Sequence, residues 1–254
     1  MILDIYKDAF EYSAQDWKTL LILGVICLFS LLLLPIFLIT GYNYRVINNA
    51  VHGVINGRDP LPKFDEIVNM FVDGIKVAIV QIAYVLVPVI IFLIFMFGAS
   101  YAGDVAGVAL MVIGCLITLV VGVLACLMNQ MALCHMAYND GELSKAFALK
   151  EINEVIDDIG WFNCILTYLG LIIITVVISS VVTAIVGSIF TVLGMSGFLI
   201  DATLGGGILF LGMLINVVVT MFIIGPYLSI FNARSIGLLY TMQIGNSTDD
   251  VVEE

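Results

Sequence analysis

The residues best placed to do chemistry lie in LMNQMALCHMAYND, where Met128, Met131, Cys134 and His135 follow one another at helical steps. Soft sulfur beside an imidazole would suit copper(I). The same residue types are also ordinary filling for a helix interior, and that reading is preferred. His52 stands in another segment with no ligand spacing around it. No metal-ligating residue is therefore assigned.

Carboxylates come next. Asp73 and Asp157 each stand where an amphipathic segment runs into a long apolar one, and Arg45 and Arg234 from neighbouring segments are their candidate partners. Such pairs read as a structural latch rather than as acid–base machinery. The chain contains no GxSxG, HExxH, phosphate loop or glycine-rich dinucleotide fingerprint. No catalytic or cofactor-binding residue is assigned, no cofactor is implied, and the chain is read as a non-enzyme. A solute path is the second reading, carried by the polar positions Gln81, Tyr84, Thr175, Ser179, Thr183, Asn216 and Thr220. Small and polar residues at four-residue spacing are equally the means by which membrane helices pack. Ionisable groups are missing from the middle of the apolar runs, which weakens proton-coupled or charge-moving transport.

The elements that must hold these residues are membrane helices. Of 254 residues, 62% are hydrophobic and 11% charged, and the mean hydropathy is +1.15. These values lie far outside the range of soluble domains. Runs of helix-spanning length with no ten-residue alternation predict an all-α polytopic bundle, not a barrel. The apolar runs cover about 18–41, 75–98, 105–136, 161–187 and 207–225, with a shorter piece at 188–200. Five spans are the minimum. The first run continues past Pro35 and could fold back on itself, giving six helices in three hairpins. Every lysine and arginine lies near the N-terminus, in 42–76, in 137–158 or near the C-terminal end. Because flanking cations face the cytoplasm, three hairpins with both termini cytoplasmic are preferred. The cell membrane is the expected location. The acidic N-terminus predicts no cleaved signal peptide. Five cysteines without a CxxC pair read as apolar filling, and a net charge of −11 excludes nucleic acid as a partner.

In PLPKFDEIVNMFVDGIK, residues 60–76, Phe64, Ile67, Val68, Phe71, Val72 and Ile75 form one stripe, which predicts a helix lying in the headgroup plane. Gly74 would bend it into the following span. FALKEINEVIDDIGWFN repeats the arrangement eighty-four residues on: Ile152, Val155, Ile156 and Ile159 answer Val68, Phe71, Val72 and Ile75, Asp157 answers Asp73, and Tyr168 answers Tyr84. A third version opens the chain, with Ile2, Ile5, Tyr6 and Ala9 on one face and Asp4, Lys7, Asp8 and Glu11 on the other. The predicted organisation is one membrane domain over 1–245, with repeat-like units at about 1–58, 59–136 and 137–245. Residues 246–254 form an acidic disordered tail, in which the Asn246 sequon stays unused on the cytoplasmic side.

Asp16-Trp17, GYNYRV (41–46), LPKFDEIVNMFVDGIK (61–76), IGWFN (159–163) and ARSIGLLY (233–240) resemble the mostly archaeal multi-pass membrane proteins grouped as domain of unknown function 4013. Asn69 and Met70 depart from the aromatic or small residues of that pattern. The resemblance implies a polytopic membrane fold and supplies no activity. The function expected from the residues is to organise or assist a partner in the cytoplasmic membrane, either another membrane protein or a second copy, within the lipid bilayer. A small-solute transporter or channel is the alternative.

Overall fold

The computed structural model describes residues 2–29, 34–57 and 59–242. Residues 30–33, where the first apolar run is expected to fold back, Arg58, and the acidic tail with its sequon lie outside the described residues.

Among the described residues the protein is all-helical. The chain runs through α1 (Ile2–Ser13), α2 (Trp17–Leu28), α3 (Leu34–Val51), α4 (Ile67–Tyr101) and α5 (Asp104–Tyr138). A 3-10 turn (Leu143–Phe147) leads to α6 (Leu149–Ile159), α7 (Trp161–Phe198) and α8 (Ala202–Val219). A π-turn (Thr220–Ile224) then joins α8 to α9 (Gly225–Tyr240). Four helical stretches are long and apolar enough to cross a membrane: α4, α5, α7, and α8 continued through α9. The protein is a multi-pass membrane protein. The five or six spans expected from hydropathy differ from this count in the first apolar run, which divides into α2, only 12 residues long, and α3. α3 is interrupted by Asn43, Arg45, Asn48 and Asn49 in its second half.

Two boundaries also differ from the expectation. Residues 188–198 are no connection but the last turns of α7, and the chain reverses at Leu199–Asp201. Asp201 caps α8 by accepting from the Thr203 and Leu204 amides, at 2.8 and 3.1 Å. Those two hydrogen bonds hold its carboxyl below the usual range. The segment from 60 to 76 is likewise not a separate interfacial helix. Residues 60–66 are irregular, and α4 runs unbroken from Ile67 through Gly74. Gly74 serves a close approach instead: a Cβ there would collide with the Phe37 carbonyl, and one on Gly41 with the Met70 carbonyl. The two glycines let α3 and α4 cross backbone to backbone. The buried face of α4 is accordingly Met70, Gly74 and Val77, while Ile67, Val68, Val72 and Ile75 are exposed.

The other two amphipathic helices do bury their stripes. α1 buries Ile5, Tyr6 and Ala9, and α6 buries Ile152, Val155, Ile156 and Ile159. α6 is also a true separate helix, broken from α7 at Gly160, whose φ of +92° suits glycine. The repeat therefore extends to the sequence pattern but not to the way each stripe packs.

The π-turn before α9 has a local cause. Pro226 has no N–H to give the Phe222 carbonyl, and the Gly225 amide turns to Thr220. α2 seats itself there, since a Cβ on Gly24 would lie 2.7 Å from the Phe222 backbone.

The buried core lies at one end of the molecule, where α1, α2, α3, α6, α9, the end of α5 and the starts of α4 and α7 meet. From it project two antiparallel hairpins, α4–α5 and α7–α8, each closely paired within itself. α5 and α7 touch only near their core ends, around Met131 and Cys164, and α4 makes no substantial contact with α7 or α8. The hairpins thus stand apart across a cleft. Only 6–17% of the residues in the apolar windows of the four spans are buried, so most of this surface is made for an apolar surrounding.

Candidate functional site

Three polar assemblies and one groove account for the side chains with chemical potential. The first surrounds Arg234, which α9 carries into the core with no exposure at all. Its Nε donates to Asp8 Oδ1 and its Nη2 to Asp59 Oδ2, both at 2.9 Å. The Tyr12 ring lies 4.5 Å from the guanidinium carbon, a cation–π distance. Asp8 also accepts from the Asn56 amide at 2.6 Å. Burial pushes the Tyr12 hydroxyl up to about 12, against the lowering pull of Arg234. A helical register alone places Asp8 on the polar face of α1, yet it is buried, because α9 supplies a cation from 226 positions away. Arg234 is a latch, with Asp8 and Asp59 as its partners.

Arg45 is a second clasp. It donates to the carbonyls of Lys63, Asp65 and Glu66 and pairs with the Asp65 carboxylate at 3.3 Å. It thereby holds the irregular approach to α4, where Glu66 takes a left-handed φ of +48°. Neither expected partner takes part in these latches. Asp73 is half-buried and no ion pair with Arg45 forms. Asp157 instead accepts from Trp161 Nε1 at 2.7 Å and Asn153 Nδ2 at 3.2 Å, closing the break between α6 and α7.

His135 centres the third assembly. Its Nε2 lies 3.0 Å from Glu151 Oε2 and its Nδ1 2.7 Å from the Tyr240 hydroxyl. A carboxylate only accepts, so Nε2 carries a proton toward Glu151. Lys145 Nζ reaches the same Glu151 oxygen at 2.8 Å. The hydrogen bonds from Lys145 and then His135 hold the Glu151 carboxyl below its ordinary value. Both ring nitrogens are thus engaged away from Met128, Met131 and Cys134, and a copper(I) site has no imidazole to use. Among the described residues no group of three His, Cys, Asp or Glu is gathered to hold a metal.

The expected solute path divides between packing and cavities. Asn216 Nδ2 donates to the Thr183 carbonyl at 3.1 Å, and Thr220 lies 3.5 Å from Asn216. A Cβ on Gly212 would strike the Phe190 side chain. The ridges on α7 and α8 therefore face each other as a helix contact. Thr175 pairs with Asn232 of α9 at 3.3 Å, and Ser179 stays half-buried on α7. Gln81 and Tyr84 line two different spaces. Tyr84 donates to the Ala146 carbonyl at 2.9 Å and borders an apolar groove of about 560 Å³. Pro88, Thr118, Gly122, Asn129 and Tyr168 also line it, so the pair Tyr84 and Tyr168 matched in the sequence meets at the foot of the cleft. Thr118 Oγ1 and Asn129 Oδ1 are buried there without a hydrogen-bond partner. Gly122 leaves part of this surface open, since a Cβ there would meet only the Pro88 Cβ, at 4.0 Å.

The Asp8–Arg234 pairing and the gathering of amides beside Gln81 escape sequence reasoning. Both depend on helices far apart in the chain, and only the mid-span Asn232 and Gln130 could have signalled them. A family model described as a protein of unknown function, DUF4013, matches residues 25–191, more than half of the chain. No curated protein and no solved structure matches.

Proposed function

The chain belongs to the DUF4013 family, and from its own geometry we propose that it is a non-catalytic protein of the cytoplasmic membrane that organises or assists a membrane partner. The partner's transmembrane helix would pack between the hairpins α4–α5 and α7–α8. The observation that carries this reading is the unfilled cleft itself, with its groove of about 560 Å³ and Gly122 bare in its wall. Helices in lipid associate through small residues that let backbones approach, so a glycine bared on the groove favours a further helix over lipid chains. The latched core would be the rigid base from which the two arms are held apart.

In this reading the core end, which carries the lysines and arginines, faces the cytoplasm, and the tips at 102–103 and 199–201 face outward. α2 and α3 form a third hairpin that enters the membrane without crossing it, since 12 helical residues reach only about 18 Å of a roughly 30 Å core. Cross-linking in native membranes followed by affinity purification tests the proposal. A defined membrane protein should be recovered with the wild type and lost with Gly122→Leu, which fills the groove, while the variant remains folded. Equal recovery with both, or none with either, would remove the cleft from the account.

A further inference from the structure

A second, partly open space lies among the helices, distinct from the groove of the cleft. It has a volume of about 190 Å³ and is walled by α3, α4, α5 and α9. Its polar lining is unusual for a membrane bundle: Asn43, Gln81, Gln130 and Asn232 contribute an amide from each of the four helices, and Tyr44 adds a phenol. Among the described residues no charged one lines it. Asn232 is held by Thr175 at 3.3 Å, whereas Asn43 Oδ1 and the hydroxyl of Tyr44, a residue only 5% exposed, are buried and make no hydrogen bond with the protein. The cavity lies close to the cytoplasmic end proposed above. Lys76, little more than one turn before Gln81, donates to the Gly141 carbonyl at 3.0 Å, and Tyr44 stands beside that glycine.

An amide oxygen such as that of Asn43, buried without a partner, is costly, and packing would be better served by leucine or alanine at these positions. Convergence from four helices on one space large enough for several water-sized groups is the arrangement of a small-molecule site. We infer that this cavity binds a small uncharged solute carrying both hydrogen-bond donors and acceptors, of the amide, urea or short polyol class. The amides offer N–H and C=O to one molecule, and the described lining offers an ion no charge to offset its desolvation, so an uncharged solute fits it better. The inference does not depend on a partner helix in the cleft.

Saturation-transfer NMR on the full chain in lipid nanodiscs, with urea, acetamide and glycerol as probes, tests it. At least one probe should give a saturable signal that an excess of unlabelled probe displaces. Its apparent affinity should fall at least tenfold in Gln81→Leu and Gln130→Leu and stay unchanged in Thr118→Val, which alters only the groove. Should a leucine variant not fold, Gln81→Asn and Gln130→Asn, each one methylene shorter, take its place. No saturable signal from any of the three probes would mean that the amides hold water alone, and would overturn the inference. So would binding that is equal in the wild type and in the glutamine variants.

Discussion

Replacing Asp8 with asparagine tests the latch that fixes the core end of the molecule. The side chains of Arg234 and Asp8 are 0% and 3% exposed. Both groups that Asp8 accepts from, Arg234 Nε and the Asn56 amide, are donors with no second role. An asparagine of the same shape must turn its NH2 toward one of them, so the change removes a charge and sets two donors face to face. Breaking a buried ion pair from one side costs about 3–5 kcal/mol. That is roughly two to four orders of magnitude in the unfolding equilibrium. Asp59→Asn is the internal comparison, because the Asp59 side chain is 35% exposed and water can replace much of what it gives; about 1 kcal/mol is expected. Reversible unfolding in mixed micelles by titration with a denaturing detergent reads both. The double replacement Asp8→Leu with Arg234→Met should recover most of the loss, since the one carboxylate left without its cation, Asp59, is 35% exposed and water can solvate it. The reasoning is refuted if Asp8→Asn lies within about 0.5 kcal/mol of the wild type, or costs no more than Asp59→Asn.

Three further outcomes are expected. Gly74→Val should destabilise the fold by at least about 1–3 kcal/mol, since its Cβ meets the backbone of α3 rather than a side chain that could move; thermal unfolding measures it. Thr118→Val should be neutral or stabilising by up to about 1 kcal/mol, because it removes a buried hydroxyl that no group satisfies. Glu151 makes stability depend on acid. Its carboxyl is lowered in the folded state, so its contribution is present above the unfolded value of 4.5 and is lost as pH falls through the lower folded value. Melting temperatures of Glu151→Gln followed from pH 6 to pH 3 should fall less steeply than those of the wild type.

Sequence reasoning reached different depths in different parts of the chain. α1 and α6 were legible because each has one face against protein and one against water, and a 3.6-residue stripe records that contrast. In the spans the outer face is as apolar as the inner one, so periodicity has nothing to report; the buried face of α4 had to come from the crossing at Gly41 and Gly74. The glycines and serine of 187–197 look like a connection by soluble rules, yet they continue α7, as glycine is tolerated in membrane helices. Arg45 and Arg234 were recognisable as latches because a cation near a span must find partners. Their partners were not recognisable: charge patterning reaches only neighbouring turns, and Asp8 lies on another helix at the far end of the sequence.

The account rests most heavily on what occupies the cleft, and site-specific photo-cross-linking in native membranes addresses that directly. A photoreactive residue at Leu119, which lines the groove, is compared with one at Val120, which is exposed on the same helix outside it. The account predicts one discrete adduct from position 119, mapped to a transmembrane peptide of another protein, absent from position 120 and abolished by Gly122→Leu in a folded chain. Adducts with lipid alone, or with the same protein in equal yield from both positions, would contradict it.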